Sequence, residues 1–174
     1  MLRDKIIKVI EDAGFDEYKE IGVEEIIFSE DVFAQCARNT CGNYGKNYTC
    51  PPASGTMEEN KARFLKYKNA IILNKIVFLG EFYEFLKESG KEPRRLLDIV
   101  REELNDEPVM IAGGGGCKLC PECAAKTDEP CRFPDKRQYS MEGSGMDIVS
   151  MSIKLKMTYN AGNRSVGFFS IIMY

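Results

Sequence analysis

The chain contains no histidine. Any proton transfer therefore falls to Glu, Asp, Lys, Tyr or Cys, and none of these stands out by spacing. Long apolar runs are missing too. The longest, Ala70–Leu73 and Ile76–Leu79, are far below the ~20 residues needed to span a bilayer. No membrane association is expected. The N-terminal stretch MLRDKIIKVIEDAG is amphipathic and acidic, without an apolar h-region or a small-residue cleavage site. No export signal is expected, and a cytoplasmic location is. No block of five or six basic residues occurs and the formal net charge is −3, which argues against nucleic-acid binding. There is no G-x-x-x-x-G-K-[ST] loop, no C-x3-C-x2-C radical motif and no serine nucleophile elbow. The glycine run Gly113–Gly116 is not G-x-G-x-x-G, so no dinucleotide site is expected.

What the chain does have is seven cysteines in two clusters. Cys117, Cys120 and Cys123 form C-x2-C-x2-C, followed by Cys131. Upstream, Cys36, Cys41 and Cys50 form C-x4-C-x8-C, and Cys50 opens a Cys-Pro-Pro. In a reducing compartment thiols stay reduced, and an odd number leaves one over in any all-disulfide scheme. Exposed, closely spaced thiolates survive best at low oxygen, so an anaerobic source is expected. A chain of 174 residues, 44% hydrophobic, has material for a real core and does not need its cysteines to replace one. A single metal-binding domain over 1–174 is expected, with cysteine loops at about 32–56 and 113–137.

Three thiolates at x2-x2 spacing on one loop can bind three irons of a [4Fe–4S] cube. Cys131 is the nearest candidate for the fourth ligand. Cys50 is the rival, because remote ferredoxin-type ligands are often Cys-Pro. Gly115 and Gly116 end the glycine run beside Cys117 and are candidate cofactor-binding residues: without side chains the backbone can wrap closely and aim N–H groups at sulfur. Lys118, Lys126, Arg132, Lys136 and Arg137 would offset cluster charge, yet interleaved acids make a solvated surface the simpler account. Zinc is the alternative to iron, held tetrahedrally by four cysteines, although zinc sites usually pair C-x2-C units across a longer span.

From Val32 to Thr56 there is no Asp or Glu, which suits an anionic cofactor. Cys36, Cys41 and Cys50 supply three thiolates for a second cluster or metal. If Cys131 completes the first cluster, this one is a protein ligand short and has an exchangeable position. Tyr44 and Tyr48 either shield a cluster from water or simply pack the loop. Lys46 reads as a solvated lysine rather than a substrate contact.

Hydrophobic patterning predicts helices over Leu2–Ala13, Met57–Tyr67 (with a Thr56/Glu59 capping box), about 93–105 and about 145–156 (with Ser144 and Asp147 as a box). Strands are predicted over Ile21–Phe28, Ala70–Leu79, Val109–Ala112 and Arg164–Met173, the last nearly continuous in apolar residues and so buried on both faces. The first cysteine segment is predicted to be a loop with little regular structure. Together these elements predict an α/β or α+β fold: a small mixed β-sheet flanked by helices, carrying two cysteine-rich metal-binding loops.

The stretch Cys41–Pro52, CGNYGKNYTCPP, followed by GGCKLCPEC (Gly115–Cys123), PCRFP (Pro130–Pro134) and SMEGSGMDI (Ser140–Ile148), resembles the signatures of a family of predicted metal-binding proteins, a domain of unknown function common in anaerobes. The resemblance covers most of the chain. It implies metal binding through these cysteines and an iron–sulfur cluster, and it implies no reaction. Where the family often reads S-M-E-A, this chain has Gly143, which softens the start of the following helix. Ser140 and Glu142 read as capping or packing residues. Three functions stay open: a cytosolic iron–sulfur protein passing electrons to a redox partner protein, an iron–sulfur enzyme with an open iron for a small substrate, and a zinc-stapled interaction module.

Overall fold

A computed structural model of the chain describes residues 1–79 and 90–174. Its centre is a pair of long antiparallel strands, β2 (Asn69–Phe78) and β5 (Ser165–Met173), in register from Ala70 opposite Met173 to Phe78 opposite Ser165. Both segments are rich in β-branched and aromatic residues, which suit a pleated buried surface. β1 (Glu17–Gly22) adds to β2, while β3 (Met110–Ala112) and the short β4 (Asn160–Gly162) add to β5, giving the order β1-β2-β5-β3. All these ladders are antiparallel. Among the described residues parallel pairing, which a mixed sheet was expected to contain, is confined to an isolated bridge between Gly113 and Ser140. The fold is therefore α+β.

The central strands are buried on both faces where Ala70–Leu73 pairs with Ser170–Met173, as the apolar character of those stretches predicts. Successive residues serve opposite cores, because side chains alternate along a strand. Ile71, Leu73 and Ile172 pack with Ile6 and Ile10 of α1 (Leu2–Ala13) and with Leu97, Val100 and Leu104 in and just beyond the helix Lys91–Glu103. Ala70, Ile72, Phe169, Ile171 and Met173 face the other way, toward Phe64, Met141, Met146 and Met151. The other helices among the described residues are α2 (Glu30–Gln35), α3 (Met57–Phe64) and, after Lys91–Glu103 as α4, α5 (Ile148–Leu155). Among the described residues no helix is long and apolar enough to cross a membrane.

Three predicted elements are corrected. The strand expected at Ile21–Phe28 is β1, displaced upstream to Glu17–Gly22, and Val23–Glu25 form a 3-10 turn. The Glu25 carboxylate accepts from the Gly22 N–H at 3.1 Å and turns the chain. Ile21, Val23 and Ile26 are buried all the same, so their apolar character signalled burial rather than strand pairing. The helix expected from about residue 145 begins at Ile148. Asp147 alone caps it, accepting from the Ser150 N–H at 2.9 Å, and Ser144 is turned inward to donate to the Ser140 carbonyl at 2.7 Å. The first cysteine segment is not wholly irregular: α2 and a 3-10 turn at Cys36–Arg38 run into it, started by Ser29, whose hydroxyl accepts from the Val32 N–H. A six-residue helix is too short to show a periodicity.

Candidate metal centre

The second cysteine loop leaves the sheet at the end of β3. Gly113 donates to the Tyr139 carbonyl at 3.1 Å and accepts from the Met141 N–H at 2.9 Å, which ties the loop's two stems together. Its four thiols come to one place. Cys117, Cys120, Cys123 and Cys131 all line a single cavity with about 360 Å³ of empty volume, part of it open to solvent. Tyr48, Asn47 and Thr49 of the first cysteine loop form one wall, and Arg132, Phe133 and Arg137 another. Cys50 is not on this wall. All seven cysteines are free thiols.

The cavity is held by polar contacts that the sequence does not advertise. Asn47 and Thr49 are buried. The Asn47 amide donates to the Cys117 carbonyl at 2.9 Å, and the Cys117 N–H donates to the Thr49 hydroxyl at 2.9 Å. Thr49 in turn donates from its N–H and its hydroxyl to the Asn47 side-chain oxygen, both at 3.0 Å. Both backbone groups of Cys117 are thereby satisfied by a neighbouring loop. The Tyr48 hydroxyl donates to the Glu129 carbonyl at 2.5 Å, and Arg132 donates to the Glu122 carbonyl at 2.9 Å. Tyr48 thus lies on the cavity wall, whereas Tyr44 does not and Lys46 is exposed.

Arg137 separates itself from the other basic residues near the loop. Its guanidinium lies 5.0 Å over the Tyr48 ring, and its Nε is buried without a hydrogen-bond partner. An orphaned N–H on a held cation beside four thiols fits an anionic thiolate-bound group in this cavity. Burial pushes the Cys131 thiol up, but the Arg137 guanidinium, the Phe133 N–H and the charge of Arg132 together bring it below the ordinary thiol range. A single metal ion draws its ligands to about 2.3 Å from one point. Among the described residues no three Cys, Asp or Glu side chains converge in that way.

The charge of Cys41 acts on both Cys36 and Cys50. Burial, followed by the charge of Cys41 and of Glu142, raises the Cys36 thiol. Burial, followed by the charges of Cys41, Cys36 and Cys123, pushes Cys50 up to about 12. Cys36 ends α2 and its sulfur lies 4.0 Å from the Glu142 carbonyl oxygen. Cys50 is at the seam between the two cysteine loops: a Cβ on Gly116 would stand 3.0 Å from its sulfur and 2.9 Å from the Asn47 amide nitrogen. Gly116 therefore lets the two loops close against each other. Gly115, at φ +75° and with no neighbour in reach, is exposed on the far side of the run.

Asn60 of α3 anchors the segment after Cys50. Its amide donates to the carbonyls of Ser54 and Thr56 at 3.2 and 2.8 Å, and its oxygen accepts from Ser144 at 3.3 Å. Ser140 accepts from the Gly143 N–H at 3.0 Å and donates to Glu142 at 3.2 Å, which holds the local turn. Gly143 lies in a 3-10 turn, Glu142–Ser144, ahead of α5. Asn47, Thr49 and Asn60 carry no recognisable signal in the sequence. They are ordinary loop and helix residues until the tertiary structure buries them.

An α+β scaffold carrying two cysteine-rich loops, one closed around a four-thiol cavity, defines a class of metal-binding protein. The family model described as "Predicted metal-binding protein (DUF2284)" matches residues 19–174, and the chain belongs to that family. Comparison with curated proteins finds no match. Among solved structures, a crystal structure of epoxyqueuosine reductase with an epoxyqueuosine-modified tRNA-Tyr stem loop is similar at 10% identity and a TM-score of 0.38, over 98% of this chain and 45% of that one. The chain thus spans less than half the length of that structure.

Proposed function

We propose that the protein is an iron–sulfur protein in which Cys117, Cys120, Cys123 and Cys131 hold a [4Fe–4S] cluster used for one-electron transfer to a redox partner protein in the cytoplasm. The observation that carries this reading is the convergence of these four thiols on one cavity with Arg137 beside them. When bound, such a cluster supplies a one-electron redox couple whose potential follows hydrogen bonding, local charge and solvent exposure. The residues around it are arranged to act on those terms. Arg137 brings positive charge to Cys131, Tyr48 covers one wall, and Asn47 with Thr49 fixes the first ligand's backbone. Leu119 and Phe133, 40% and 48% exposed beside the same cavity, are apolar contacts for a docking electron donor or acceptor.

The test is air-free purification followed by iron, zinc and acid-labile sulfide analysis, with dithionite reduction monitored by absorption and electron paramagnetic resonance. Iron and sulfide in equal amounts, and a visible band that dithionite bleaches, support the reading. Colourless protein containing zinc overturns it in favour of a structural staple.

A second reading is favoured by the other three thiols. If Cys36, Cys41 and Cys50 hold a cluster or metal of their own, no fourth cysteine completes it, and that centre would keep an exchangeable position for a small substrate. The expected signature is a spectroscopic signal perturbed by added small molecules, whereas a pure electron carrier shows an unchanged signal and fast reduction by a ferredoxin.

A further inference from the structure

The glycine run and α4 line a groove separate from the four-thiol cavity. Gly113–Gly116, Arg94, Arg101 and Gln138 all line a wide groove. Gly113 approaches α4 so closely that a Cβ there would stand 2.7 Å from the Leu97 side chain and 3.8 Å from Arg101 Nη2. The two arginines, two helical turns apart on α4, are therefore set at opposite ends of the run: Arg101 reaches Gly113, and Arg94 donates to the Gly116 carbonyl and to Gln138 over long contacts of 3.4 and 3.3 Å. Between them Gly114 and Gly115 are exposed, and their N–H groups donate to no described partner.

Neither cation is fully matched. Arg101 is largely buried and has one carboxylate, Asp98, at 2.9 Å. Among the described residues Arg94 makes two long neutral contacts. Partly desolvated guanidinia flanking free backbone N–H groups provide a planar, fork-shaped donor set for an oxyanion. The acids on the groove, Glu142, Asp147 and Asp31, bound the site. The Glu142 carboxylate is nearest, with Oε1 3.6 Å from where a Gly114 Cβ would stand. It presents an acceptor to a hydroxyl or amine on the rest of the ligand.

We infer that this groove binds a small molecule through a phosphate or carboxylate group, held by Arg94, Arg101 and the N–H groups of Gly114 and Gly115. The site draws on no cysteine, so it stands whether or not the cluster assignment does. Its occupant would lie alongside Glu142, whose carbonyl is the one Cys36 approaches.

The experiment is calorimetric titration of the purified full chain, with pyrophosphate and citrate as probes and iron content measured on every sample. At least one probe is expected to bind saturably to the wild type. Arg94→Gln is expected to weaken that binding about tenfold to a hundredfold, the loss of a charge-assisted contact. Arg94→Lys should recover part of it. Gly114→Asp, which adds negative charge at an open position, should weaken it comparably, and Arg95→Gln on the exposed side of α4 should not. Preference for pyrophosphate or for citrate distinguishes a phosphate from a carboxylate ligand. Failure of both probes to saturate the wild type overturns the inference, as does undiminished affinity in both Arg94→Gln and Gly114→Asp. Iron-free protein that still binds a probe would overturn the cluster reading and leave this one standing.

Discussion

The side-chain amide of Asn47 donates to the backbone carbonyl of Cys117 at 2.9 Å across a sequence separation of 70 residues. With the reciprocal bond from the Cys117 N–H to Thr49, it makes the two cysteine loops one unit. Removing either side chain leaves a buried backbone group unpaired, which costs about 1–3 kcal/mol. Asn47→Ala and Thr49→Val should each lower thermal stability by that order and reduce the iron retained after purification. Stability lost without any loss of metal would show that the clamp does not position Cys117.

Gly116 and Gly115 are adjacent, yet they should respond differently to alanine. A Cβ at Gly116 meets Asn47 and Cys50 at 2.9 and 3.0 Å, and Asn47 is held by its own hydrogen bonds. Overpacking there should cost about 1–3 kcal/mol and disturb metal binding at both loops. Gly115→Ala pays only for its positive φ, about 1–2 kcal/mol, with no contact made. Parallel melting curves and metal analyses of the two variants check this. Equal metal loss in both would contradict it.

Cysteine-to-serine exchanges separate the ligand sets. Cys120→Ser and Cys131→Ser are expected to abolish the cluster of the four-thiol cavity, while Cys50→Ser is expected to spare it and remove metal from the other group. Iron counting on air-free protein reads the difference. If Cys50→Ser destroys the first cluster and Cys131→Ser leaves it intact, the fourth ligand is Cys50.

Glu17 supplies a pH-dependent part of the stability. Burial works against its charge, but the Asn74 amide and the N–H and hydroxyl of Thr158, at 2.7, 2.9 and 2.7 Å, hold the carboxyl below its usual range. A depressed folded value means that this contribution is complete above the unfolded value of about 4.3 and is lost as pH falls through the lower folded one. Glu17→Gln should cost about 1 kcal/mol at neutral pH, a figure kept low because the group is partly solvated. Denaturant titrations should show the gap to wild type closing in acid. A gap that stays constant with pH would rule out the carboxylate as its source.

The central strands and the helices α1, α3 and α4 were legible because their apolar residues repeat with the period of the element that buries them. The β2 and β5 segments lack alternation because helices or loops cover both their faces. β1 was misplaced because it is an edge strand: Glu17, Lys19 and Glu20 interrupt its apolar pattern, and its apolar neighbours Val23 and Ile26 are buried by a turn instead. Likewise Ser144, a plausible cap by spacing, is drawn inward by Ser140 and Asn60, partners far away or fixed only by the folded loop.

For the centre itself, the linear order of residues was enough to single out Cys117, Cys120, Cys123 and Cys131, which line one cavity, because residues on one short loop are necessarily close in space. It could not say which loop lies against which. Folding decided that Cys50 sits beside Gly116, that Asn47 and Thr49 grip Cys117, and that Arg137, one of several basic residues by sequence, is the one turned toward Cys131. Those outcomes depend on which polar groups become buried and must find partners, and burial is a property of the assembled layers rather than of any local stretch of chain.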